Sequence, residues 1–173
     1  MCATSRVINK YLPDIKLACN FVNDNLINRL IKYASENYTY DMIFNKSNFM
    51  HLCGVKYEKG ASDFFRDILD DKLELDKIQI KDDGSTIVKL QIISNLQYLF
   101  DKNIFLGPSG RIGYTTYDGV IEHKVMVLLL KRAKSVYVPN SILNKTRSSR
   151  VVTERVKSIE IYEGNKLLRS ISY

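Results

Sequence analysis

Apolar side chains recur every three or four positions through the front of the chain and every two positions through its back. Ile15, Ala18, Cys19, Val22, Leu26, Leu30 and Ala34 share one side of a helical projection, with Asn20, Asn23, Asn25 and Lys32 on the other. This spacing predicts an amphipathic helix over Pro13 to Ser35. Pro13 suits a first turn because its missing N–H would be unpaired there anyway, and Asp14 suits the positive helix end. Tyr38, Tyr40, Met42 and Phe44 alternate with polar neighbours and predict a short strand. Ser47 or Asn48 can cap a brief helix over Phe49 to Cys53, which Gly54 would stop. A third helix is expected over Ala61 to Leu69, with Phe64, Phe65, Ile68 and Leu69 on its apolar face. The turn Asp82-Asp83-Gly84-Ser85 leads into a fourth, Thr86 to Phe100.

After Asn103 the period changes to two. Asn103 to Leu106, Ile112 to Tyr117, Val120 to Arg132, Ser135 to Val138 and Ser158 to Tyr162 read as extended. Leu167 to Tyr173 should pair with the strand before it through Glu163-Gly164-Asn165-Lys166. Val125 to Leu130 is apolar on both faces, as a strand covered on both sides must be. The expectation is a single α+β domain over residues 1–173. Its mainly helical part, 1–102, would pack on a mainly antiparallel sheet, 103–173.

Composition adds little to this picture except through charge. The chain carries 26 Lys+Arg against 19 Asp+Glu, a net charge of +7. The window from His123 to Lys157 alone nets +8, leaving the other 138 residues at −1. Such polarity attracts phosphate backbones through counterion release, although a merely solvated basic face would look the same. The longest apolar stretch, Val125 to Leu130, is too short to span a bilayer, and the first residues lack the apolar core of a secretory signal. Cys2, Cys19 and Cys53 are far apart with no C-x-x-C, which fits a reduced, cytoplasmic setting and offers no zinc site. With only His51 and His123 to assist, neither a metal nor another cofactor is expected.

The candidate chemistry is therefore acid–base and cationic. His51 projects away from Phe49, Leu52 and Cys53 on a short helix, so its imidazole can act as a general acid or base or stand as an ordinary surface histidine. His123 opens the apolar strand and is the second acid–base candidate, with a passive strand-end histidine as the alternative. Gly107 to Gly113 could hold a phosphate with backbone N–H groups and Arg111, but it lacks a P-loop ending, and a hairpin loop fits it better. Tyr114 to Tyr117 could offer hydroxyls or a stacking face to a base, or simply pack. Ser141, Lys145, Arg147 and Arg150 combine hydroxyl and guanidinium donors suited to phosphate oxygens, and Lys124, Lys131 and Arg132 extend that basic set.

Phe44-Asn45-Lys46-Ser47-Asn48-Phe49-Met50-His51-Leu52-Cys53-Gly54 resembles the F-x-x-x-x-F-x-H-L-x-G signature of a phage-associated family in the barnase–EndoU–colicin–RelE-like nuclease group. The likeness continues through Lys59 to Phe65 and through Asp83-Gly84-Ser85-Thr86…Lys89-Leu90. It ends in Tyr137-Val138-Pro139-Asn140-Ser141-Ile142-Leu143. The resemblance implies an RNase-like fold, helices before a curved antiparallel sheet, with an active site on the sheet. The resulting expectation is a metal-independent endoribonuclease of phage or mobile-element origin, acting on RNA. His51 would be its acid–base residue, and Lys124, Arg132 or Arg147 would stabilise the transition state. The alternative is a non-catalytic protein on the same fold that grips nucleic acid or blocks a protein partner; for a toxin-like enzyme, a protein antidote is the natural companion.

Overall fold

The structure, a computed structural model, describes residues 3–145 and 153–173. Helix α1 spans Ala3–Asn25, so it starts ten residues before Pro13 and carries that proline in its interior. The apolar stripe extends upstream through Ile8 and Tyr11, and the burial it provides outweighs the hydrogen bond the proline forgoes. The helix also ends sooner than expected. Asn28 adopts a left-handed φ of 60°, and Leu30–Ala34 is strand β1. Leu30 and Ala34 continue the four-residue step, but Ile31 and Tyr33 carry a two-residue step, and both are fully buried. Aromatic and β-branched side chains favour the pleated surface, and pairing on both sides overrides the helical spacing.

Strand β2 (Thr39–Ile43) forms a hairpin with β1, followed by α2 (Lys46–Cys53), β3 (Val55–Tyr57) and α3 (Ala61–Leu69). The cap of α2 is Asn45, whose own N–H donates to Asn48 Oδ1 at 2.8 Å; Asn48 is thus the return partner rather than the cap. Gly54 ends α2 at φ 70°. Strand β4 (Ile78–Ile80) pairs with β3, and helix α4 (Ser85–Leu90) gives way to 3-10 turns over Ile93–Phe100.

The back of the chain supplies β5 (Phe105–Gly107), β6 (Gly110–Ile112), β7 (Thr115–Tyr117), β8 (Gly119–His123), β9 (Met126–Ala133), β10 (Val136–Asn144), β11 (Glu154–Arg155), β12 (Ser158–Glu163) and β13 (Lys166–Ser172). Nine strands form one sheet in the order β11-β5-β8-β9-β10-β2-β1-β12-β13. The fold is α+β, but the sheet is mixed, which corrects the antiparallel expectation. Strand β10 runs parallel to β2 through Tyr137 and Met42. The cause is the early hairpin β1–β2, which belongs to the helix-rich front yet inserts between β10 and β12. Two expected single strands are hairpins instead. Val120 to Arg132 turns at Lys124-Val125, and Ile112 to Tyr117 turns at Gly113-Tyr114. The first turn contains no Gly, Asn or Pro, so nothing in the sequence marked it. The final hairpin, β12–β13, forms as expected with Gly164 at φ 56°.

The sheet curls strongly. Tyr40 of β2 donates its hydroxyl hydrogen to the Gly107 carbonyl of β5, three strands beyond its own neighbour β10. A Cβ on Gly119 would lie 2.7 Å from the Tyr40 ring, so glycine is needed for this close approach. Helices α1 to α3 fill the concave side together with Leu128, Leu130 and Ile142. The other face of β8 and β9, with Val120, Val127 and Leu129, is covered by Ile112 and Tyr117 of the β6–β7 hairpin. Among the described residues no helix is long and apolar enough to cross a membrane.

Candidate active site

His51 lies in the last turn of α2 with its side chain exposed, while Phe49, Leu52 and Cys53 anchor the helix in the core. Phe49 meets Phe65 of α3 edge-on at 5.5 Å, which fixes the helix from behind. In front, α4 is bound to the end of α2 through Thr86, which is fully buried. Thr86 Oγ1 donates to the Gly54 carbonyl at 2.6 Å and accepts the Lys81 N–H at 3.0 Å. Lys89 then crosses over Gly54, and its ammonium donates to the His51 carbonyl at 3.2 Å. A Cβ on Gly54 would sit 2.9 Å from Lys89 Cδ, so this glycine provides both the left-handed turn and the path for the lysine.

The result is an imidazole flanked by two cations. Loss of solvent, then Lys89, then Lys81 hold the His51 pKa below its ordinary value. Burial and Lys81 lower that of Lys89 as well. Strand β10 completes the site, since it packs against both α2 and α4. Between α4, β10 and β6 lies a cleft of about 440 Å³. Val88, Ile112, Ile142 and Leu143 line its apolar part; Asp83, Ser85, Lys89 and Asn144 line the rest. A second cleft of about 430 Å³ lies between Ile27–Leu30 and Ile43–Lys46; neither cleft has an imidazole in its walls, but the first is lined by Lys89, whose ammonium reaches the His51 carbonyl.

The structure separates most of the residues expected to act together. His123 is 1% exposed and stacks on Tyr98 with ring centroids 4.9 Å apart. Its Nε2 lies 3.9 Å from Asp101 Oδ1, an oxygen that already accepts two hydrogen bonds from Asn103. Burial lowers its pKa, Asp101 acts in the opposite sense and Lys124 lowers it again. Neither ring nitrogen has a hydrogen-bond partner among the described residues. Of the two readings of His123, its enclosure favours the passive strand-end histidine.

Lys131 donates to Thr116 at 2.9 Å, and Arg132 folds its guanidinium onto the Lys134 carbonyl at 3.3 Å. Both lie by the β9–β10 turn, whereas the cleft is at the far end of β10. Val136 to Leu143 spans roughly 23 Å of strand at the usual rise. Lys124 is exposed in the β8–β9 turn, and Lys145 pairs with Glu122. Ser141 is 9% exposed on β10. Arg111 is exposed on the β6–β7 hairpin, its Nε donating to the Gly113 carbonyl at 2.7 Å. Arg147 and Arg150 lie outside the described residues. Among the described residues, Lys131 and Arg132 thus stand away from the cleft, whereas Lys124 and Lys145 lie by the end of β10 that borders it. The cations whose charge reaches the His51 imidazole are Lys89 and Lys81; Lys89 falls within the Asp83…Leu90 stretch of the resemblance, whereas nothing in the sequence marked Lys81.

Other chemistries find no support. Burial pushes the Cys19 thiol up to about 12 and raises that of Cys53, so neither is a ready nucleophile. Among the described residues no three His, Cys, Asp or Glu side chains converge as metal ligands.

The histidine segment on α2, the Asp83–Leu90 segment on α4 and the Tyr137–Leu143 segment on β10 thus pack against one another, the last two lining the cleft, although up to ninety-nine positions separate them in sequence. No curated protein and no solved structure matches the chain. The family model described as phage-Barnase-EndoU-ColicinE5/D-RelE like nuclease 4 matches residues 14–168, all three of these segments included, and the chain belongs to that nuclease-like family.

Proposed function

We propose that this nuclease-like domain cleaves RNA at the α2–α4–β10 cleft by metal-independent transesterification. The observation that carries the proposal is Lys89, which lines the cleft and reaches the His51 carbonyl, with Lys81 near enough to lower the pKa of both. A depressed pKa keeps the His51 imidazole neutral near pH 7, the form that takes a proton from a ribose 2′-hydroxyl. Lys89, whose pKa is also lowered, protonates the leaving 5′-oxygen, and Lys81 stabilises the charge on the phosphorane-like transition state. Arg111 and the Lys131–Arg132 turn would touch phosphates further along the strand rather than the reacting one.

The test is cleavage of end-labelled RNA in EDTA by wild type, His51→Ala and Lys89→Met. Wild type should yield 2′,3′-cyclic phosphate ends. His51→Ala should lose about 10²-fold or more, the usual contribution of general acid–base catalysis. Equal cleavage by wild type and His51→Ala would remove the histidine from the mechanism, and no cleavage of any RNA would end the enzyme proposal.

One observation favours a second reading, a domain that grips nucleic acid without turnover. Tyr114, at the tip of the β6–β7 hairpin that also carries Arg111, is 97% exposed. This reading expects salt-sensitive RNA binding that falls on Tyr114→Ala, with no product formed.

A further inference from the structure

We propose that the cleft between α4, β6 and β10 binds one unpaired nucleobase that carries an exocyclic amine, with its phosphate directed toward Lys89 and His51. The proposal rests on the nuclease reading above and names the part of the substrate that reading leaves open. Val88, Ile112 and Leu143 bring apolar walls from three separate elements around a volume of about 440 Å³. That is the size and lining of a small-molecule site, and apolar side chains are what hold a base turned out of a stack.

The polar groups are unevenly placed for this purpose. Asp83 accepts the Ser85 N–H at 2.9 Å through Oδ1, and as a carboxylate on an exposed turn, with about four acceptor sites, it retains capacity to accept from a ligand. Ser85 Oγ is buried beside the Asp83 carboxylate, close enough to lower its pKa though without a hydrogen bond of good geometry among the described residues, so a ligand there meets hydroxyl and carboxylate together. A carboxylate repels phosphate but accepts from an amine, so the base edge belongs at Asp83. Lys89 lines the same cleft and reaches the His51 carbonyl, so the phosphate belongs there. Adenine, cytosine and guanine each present an amine. Uracil has no amine; its one edge donor, N3–H, is flanked by two carbonyl oxygens that Asp83 would repel.

The test is a ¹⁵N-¹H titration of the full chain with the 3′-monophosphates of adenosine, cytidine, guanosine and uridine. It uses wild type, Asp83→Asn and Val88→Trp. Asp83→Asn keeps an oxygen for the Ser85 N–H and replaces the other carboxylate oxygen with an amide donor. Wild type should show shifts at Val88, Ile112 and Leu143, with the three amine-bearing nucleotides bound about tenfold or more tighter than the uridine one, the worth of one hydrogen bond to a charged group. Asp83→Asn should erase or invert that order, and Val88→Trp should weaken all four. Asp83 is on an exposed turn, so its variant carries the test if Val88→Trp does not fold. No shift at the cleft with any nucleotide, equal binding of the uridine nucleotide, or an unchanged order in Asp83→Asn would each overturn the proposal. Cleavage is not measured. Selective binding by a chain that cleaves no RNA would therefore sink the nuclease reading and leave the pocket standing.

Discussion

Thr86→Val tests whether α4 is held to α2 by a hydroxyl or simply by burial. The two side chains have nearly the same shape, and Thr86 is fully buried, so apolar burial alone predicts that valine is neutral or stabilising. The hydrogen bonds predict the reverse. Valine removes the donor to the Gly54 carbonyl, 2.6 Å away, and the acceptor for the Lys81 N–H, 3.0 Å away. Lys81 is exposed and its N–H can turn to water, but Gly54 is buried and its carbonyl loses this partner. One buried polar group stripped of its partner costs about 2 kcal/mol. For a chain of this length that lowers Tm by about 4–8 °C. Thr86→Ser keeps the hydroxyl and loses one methyl group, at about 1 kcal/mol. Urea unfolding of the three proteins should therefore rank them wild type, Thr86→Ser, Thr86→Val, with m unchanged. A Thr86→Val protein as stable as wild type, or more stable than Thr86→Ser, would refute the hydroxyl as the link and with it the account of how Lys89 is positioned.

Two further predictions concern other parts of the fold. Gly119→Ala should destabilise by about 1–3 kcal/mol, because the new Cβ overpacks against the Tyr40 ring that bridges the curled sheet; calorimetry checks it, and an unchanged Tm would mean the sheet can relax. Burial lowers the pKa of both His51 and His123 below 6.5, so the unfolded chain binds protons first as pH falls and stability should decline from about pH 6.5 downward. Replacing His123 with Gln should flatten that slope between about pH 7 and 5 in urea titrations; an unaltered slope would show that His123 is not part of it.

Local chemistry made several elements legible without coordinates. Helix α3 occupies Ala61–Leu69, the range its apolar spacing predicts, because both faces of a short surface helix are written within nine residues. Gly54, Gly84 and Gly164 all take the left-handed turns expected of them. The coating of β9 on both faces was equally visible, since Val127 to Leu130 has no polar side. Of the candidate site, the exposure of His51 on α2 could be read from its neighbours. The charge argument counted cations along the chain, and such a count carries no distances. Lys124 and Lys131 are seven residues apart in sequence, but Lys124 precedes β9 while Lys131 sits near the far end of that strand, Met126–Ala133.

By itself the sequence determined what depends on near neighbours: helix faces, glycine turns, the last hairpin and the solvent-facing imidazole on its anchored helix. Only the tertiary structure decided what depends on distant strands finding one another. Residues Leu30–Ala34 became strand because β2 and β12 offered hydrogen bonds on both edges, and β10 became β2's parallel neighbour because the early hairpin inserted into the later sheet. The same long-range assembly laid Lys89 across Gly54 onto the end of α2 and closed His123 away behind Tyr98. Periodicity encodes which face of an element is apolar, but not which other element will cover it, and at this site that second choice determines the chemistry.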